Sequence, residues 1–189
     1  MISYWFTILF PLSVFGQWGT PPPVVTNEQC QAEFDKIVGC FRPPLQFSRI
    51  DDIPSFDQAK DQEFVQEITH VLDCSGFLNC NSSRILQSYL FNQRWITDHY
   101  YEKLSHCLTP EGFYKIQTGC NKVSDRDCNG LTSNFKCLST NLKQQPNCEP
   151  KDVQPFRRWI FAHRAGCLMM HQFALEIKNY EINAGRAEN

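Results

Sequence analysis

The chain has 189 residues, of which 42% are hydrophobic and 20% charged, with a formal net charge of -2. That length suits one ordinary domain, and the near-neutral balance argues against a nucleic-acid partner or an obligate anionic surface. The ten cysteines are the outlier: Cys30, Cys40, Cys74, Cys80, Cys107, Cys120, Cys128, Cys137, Cys148 and Cys167.

Residues Met1 to Phe15 are apolar and uncharged. They are too short for a comfortable membrane span, which takes about 20 apolar residues. Val14-Phe15-Gly16 offers the residues a signal peptidase reads, so residues 1–16 are expected to be a signal peptide cleaved after Gly16. No later stretch is apolar enough to span a bilayer. The mature protein is therefore expected to be secreted, free of the membrane, in an oxidising space where disulfides persist.

Residues 17–25, with Pro21, Pro22 and Pro23, read as an extended leader. The main domain is expected over 26–180. Thr26 and Gln29 form a capping-box pattern, and Cys30, Phe34, Ile37, Val38 and Phe41 then share a helical face. Pro43-Pro44 stops that helix. A second helix is expected from Ser55 to Asp73, with Phe64, Ile68, Val71 and Leu72 inward. The segment 51–73 carries seven acids, Asp51, Asp52, Asp57, Asp61, Glu63, Glu67 and Asp73, against Lys60. They read as a solvated face, with a docking surface for a basic partner as the sharper alternative.

Gly76 breaks the pattern between Cys74 and Cys80. Asn81-Ser82-Ser83 is the only N-x-S/T sequon and marks Asn81 for glycosylation. Residues 84–107 form the clearest long helix, with Leu86, Leu90, Ile96, Tyr100, Leu104 and Cys107 on one face. Thr109-Pro110 starts another helix. The chain from 121 to 149 is cut into short pieces. From near Asp152, Phe156, Trp159, Ile160, His163, Cys167, Met170, Phe173 and Ile177 trace a closing amphipathic helix of about 25 residues. Residues 181–189 form a polar tail. The expectation is an all-α, disulfide-linked domain of five to six helices.

No C-x-x-C occurs, which argues against a zinc ribbon or a thioredoxin-like pair. Even numbering allows all ten cysteines to pair, and spacing alone leaves the connectivity open. Cys30-x9-Cys40, Cys74-x5-Cys80 and the run Asp98 to Leu104 ahead of Cys107 resemble the nematode-expanded family of small secreted cysteine-rich domains of unknown function. Cys128-x8-Cys137 and the stretch Cys148 to Trp159 extend the resemblance, which covers about residues 30 to 167. It implies a secreted helical fold and no established activity.

His99 and His106, seven residues apart with Asp98 and Glu102 close by, raise a metal pair or a His–carboxylate dyad. A zinc pair on one helix is better served by i, i+4 spacing, and no catalytic residue, metal or cofactor is assigned. His163 reads as a satisfied core histidine, and His171 has no role from spacing. Arg157, Arg158 and Arg164, with Trp159 near, read as a solvated basic face. The leading reading is a non-enzymatic extracellular binding protein with an unknown protein partner. The alternative is a carrier of small apolar ligands among the 15 Phe, 6 Tyr and 4 Trp. A second alternative is a secreted hydrolase.

Overall fold

The computed structural model describes residues 25–42, 56–120 and 128–187, with side chains described through Lys178 except Leu131. The expected signal peptide, Pro43-Pro44, Asp51 and Asp52 lie outside the described residues, as does most of the leader. The described residues contain no strand. They form seven α-helices: α1 (Asn27–Cys40), α2 (Gln58–Ser75), α3 (Asn81–Lys103), α4 (Pro110–Thr118), α5 (Gly130–Ser133), α6 (Phe135–Leu142) and α7 (Val153–Ala187), with a 3-10 turn at Pro150–Asp152 before the last. The all-α expectation holds. The helix beyond the expected number is α5, a single turn set by Gly130. None of the described helices is long and apolar enough to cross a membrane.

Local chemistry accounts for most helix ends. Thr26 and Gln29 form the expected capping box on α1. The Thr109 side chain accepts from the Gly112 amide, with Pro110 at the first position of α4. α2 starts later than expected: Asp57 caps it by accepting from the Lys60 amide. α3 starts earlier, at Asn81, because its cap comes from another helix. Glu33 of α1 accepts from the Asn79 amide at 2.8 Å and the Cys80 amide at 2.9 Å. These are amides at a helix N-terminus, which a carboxylate suits. α7 is 35 residues long, more than the expected 25 or so, and it continues as helix through most of the segment read as a tail.

α3 and α7 run antiparallel and form the spine. Asn81 Nδ2 donates to Glu176 Oε1 at 2.7 Å, Asn92 Nδ2 to the Ala162 carbonyl at 2.9 Å, and His99 Nε2 to the Pro155 carbonyl at 3.0 Å. The order reverses along the two chains. Gly166 marks the close crossing: a Cβ there would sit 2.8 Å from Asn92 Nδ2. One core cluster lies at the Pro155 end of the spine. In it the fully buried Trp159 packs on Phe113 at 5.2 Å and on Tyr100 at 6.1 Å between ring centroids. Phe56 closes this cluster against Tyr100 at 5.0 Å. Its backbone holds φ of 57° to do so, a conformation uncommon outside glycine. The second cluster joins α1, α2 and the start of α3 through Ile37, Ile68, Val71, Leu78 and Leu86.

All ten cysteines are paired: Cys30–Cys80, Cys40–Cys74, Cys107–Cys148, Cys120–Cys137 and Cys128–Cys167. The first two nest, clamping both ends of α1 onto the turn between α2 and α3. Each bridge is worth about 2–4 kcal/mol in the chain-entropy account. α1 contributes Ile37 and Cys40 to the second core. Cys30 and Ile37 are buried as the stripe predicts, Cys40 is buried too, and Val38 is exposed.

Candidate functional site

The sequence reads the α2 acids as one solvated face, and the structure corrects this for two of them. Asp61 and Glu67 are buried. Glu67 turns toward the end of α1, accepting from the Arg42 amide at 2.7 Å and lying 3.5 Å from Arg42 Nε. Asp61 turns toward α3, where the Tyr101 phenol donates to its Oδ2 at 2.6 Å. Glu63 and Asp73 stay exposed.

The Asp61–Tyr101 contact lies in a groove between α2 and α3. Its volume is about 720 Å³. Gln58, Asp61, Gln62, Val65 and Gln66 form one wall, and Thr97, Asp98, Tyr101 and Glu102 the other. Helical spacing creates both walls: 58, 62, 65 and 66 repeat about every turn, as do 97, 98, 101 and 102. Three carboxylates and three amides line the groove, with no lysine or arginine in the lining. Two basic residues stand just outside. Arg94 Nε lies 3.6 Å from Asp98 Oδ2. The hydrogen bond and charge of Lys103 hold the Glu102 carboxyl below the usual carboxylate range. Burial, and then Asp61, push the Tyr101 phenol above the ordinary phenol range. Tyr101 therefore stays protonated as a donor rather than acting as a base. Tyr100 is pushed up to about 12 by burial, with Asp61 adding to it, and its hydroxyl donates to the Leu108 carbonyl at 2.6 Å.

The histidine pair does not form. α3 ends at Lys103, so His106 leaves the helix and lies 3.4 Å from buried Asp152 through Nε2. His99 is buried, stacked on Trp95 with ring centroids 4.4 Å apart. His163 is not a satisfied core histidine. Its Nε2 is sealed from solvent and has no hydrogen-bond partner among the described residues. Burial lowers its pKa from 6.5 to about 4. The basic face is also rearranged. Trp159 lies in the core, not beside the arginines. Arg157 sits over the rings of Phe135 and Phe161, at 5.8 and 5.4 Å, and Arg164 Nε donates to Asn129 Oδ1 at 2.8 Å. Asn81 is exposed, its Nδ2 donates to Glu176, and Ser83 of the sequon is buried.

Two groups of residues bring three metal-type ligand atoms within 4.8 Å of one another: Cys128, Cys167 and His171, and His106, Cys107 and Asp152. The cysteines of both groups are in disulfides, which leaves their sulfurs without thiolate character for a metal. Spacing could not place His171. It follows Cys167 by one helical turn and meets Cys128 only because the bridge brings it there.

The groove can accept hydrogen bonds from, and neutralise, ammonium or guanidinium groups. No family model, no curated protein and no solved structure matches the chain.

Proposed function

We propose that the protein is an extracellular, non-enzymatic binding module and that the α2–α3 groove receives a cationic segment of a protein partner. Five disulfides are compatible with an oxidising compartment. The observation that carries the binding reading is the groove itself, which sets Asp61, Asp98 and Glu102 together without a basic side chain in its lining. Asp98 and Glu102 are exposed and can exchange their ion pairs with Arg94 and Lys103 for a ligand's cations; Asp61 accepts from Tyr101 in the same groove. The groove walls belong to two helices, α2 and α3, that pack along each other, so little ordering entropy opposes binding. An apolar-ligand carrier needs an enclosed apolar cavity, whereas this groove is open to solvent and carries carboxylates on both walls. The likeness to the nematode-expanded secreted family rests on cysteine spacing and fits the same reading.

Calorimetric titration of the secreted protein with a short Lys/Arg peptide tests it. The expected result is binding that weakens with added salt and weakens about tenfold in the Asp98→Asn, Glu102→Gln double variant. Equal affinity in the variant and the wild type contradicts the proposal.

A further inference from the structure

A second site lies away from the groove, where α7 meets α5. Cys128 and Cys167 are bridged there, and His171 Nδ1 lies 3.6 Å from Cys128 Sγ. The two sulfurs are not equivalent. Cys128 is 7% exposed, whereas Cys167 is half-buried. The imidazole touches the buried sulfur and is itself exposed. The geometry points to a thiol–disulfide exchange site, at which an extracellular dithiol reductant opens Cys128–Cys167 with His171 as the proton donor.

The step balances as follows. A thiolate of the dithiol attacks Cys167 Sγ and the Cys128–Cys167 bond breaks. Its electron pair goes to Cys128 Sγ, which takes a proton from the imidazolium form of His171 and leaves a neutral ring. The second thiol of the reductant, having lost its proton to solvent, attacks the mixed disulfide at the reductant's own sulfur. Cys167 leaves as a thiolate and is protonated by water, and water also restores the His171 proton. The dithiol is oxidised to a disulfide, and two protein thiols form for two electrons and two protons. The rate of such exchange depends on access to the attacked sulfur and on how well the other sulfur leaves. Here the half-buried Cys167 is the sulfur attacked, and His171 beside Cys128 Sγ assists the departure of the other.

Three other bridges are natural competitors. Cys107–Cys148 has His106 within 4.8 Å of the buried Cys107 sulfur and a half-buried Cys148, but that imidazole is engaged by Asp152 at 3.4 Å. Cys74 of Cys40–Cys74 is exposed. Cys120–Cys137 has the Asn141 amide 3.3 Å from Cys120 Sγ, but an amide cannot surrender a proton as an imidazole can. Opening Cys128–Cys167 unclips the α5 turn from α7. Cys120–Cys137 still holds α6, and Cys107–Cys148 the chain that follows it.

The test is limited reduction of the full secreted chain under native conditions. Dithiothreitol serves as the dithiol, and differential alkylation with peptide mapping identifies the first thiols to appear. The expected result is first labelling at Cys128 and Cys167, and opening about tenfold slower in His171→Phe, a surface substitution, with the other bridges unchanged. Glutathione, as a monothiol, should be trapped on Cys167. First opening at any of the other four bridges, a wild-type rate in His171→Phe, or a glutathione adduct on Cys128 would each overturn the proposal.

Discussion

Replacing His163 with phenylalanine should flatten the acid side of the stability curve. Nε2 of His163 is sealed and unpartnered, and the ring packs edge-on against Trp159 with centroids 4.4 Å apart. Its pKa falls from 6.5 to about 4 through burial. The unfolded chain therefore binds a proton that the folded chain refuses between those two values. Stability falls as pH drops through that window, and below about 4 the loss is complete because both states are protonated. Between pH 7 and pH 5 the linkage amounts to about 2 kcal/mol. Guanidinium chloride unfolding at both pH values, with the bridges intact, measures it. The wild type should lose about 2 kcal/mol more than His163→Phe over this drop, since phenylalanine keeps the ring packing without the titration. Parallel losses in the two proteins would refute the reasoning.

Other substitutions probe the scaffold. Glu33→Gln removes the charge that holds the Asn79 and Cys80 amides and should cost about 1 kcal/mol, with faster amide exchange at those two positions. Burial raises the Glu33 pKa, but the bonds from Cys80 and Asn79 outweigh it and leave the value below 4.5. The stabilisation is thus present above pH 4.5 and fades as pH falls through the lowered value, so wild type and Glu33→Gln should converge in acid. Gly166→Ala should change stability little in thermal melts. A gain of about 1 kcal/mol in helix propensity opposes displacement of the Asn92 amide from the Ala162 carbonyl. Gly166→Val lacks most of that gain, adds bulk at the crossing and should cost about 2 kcal/mol.

Helices whose start and stop chemistry is local were legible in the sequence. Thr26 with Gln29, and Thr109 with Pro110, set α1 and α4 where the pattern places them. The start of α3 was hidden because its capping carboxylate, Glu33, comes from α1, far back in the chain. Periodicity also identified the face of α7 that carries Phe156, Trp159 and Ile160 into the core. It could not tell which acids of α2 turn inward. Asp61 is buried because Tyr101, forty residues later, supplies a donor. The groove has the same origin, since its walls come from two helices whose side-by-side packing no local pattern encodes. His171 acquires a neighbour only through the Cys128–Cys167 pairing, and spacing left the pairing open.

The most direct test of the binding account is an amide chemical-shift footprint. The labelled, fully oxidised protein would be titrated with a short Lys/Arg peptide. The account predicts shifts concentrated at Gln58, Gln62, Gln66, Asp98 and Glu102, abolished by high salt. Shifts centred elsewhere, or none at peptide concentrations that saturate other acidic grooves, would contradict it.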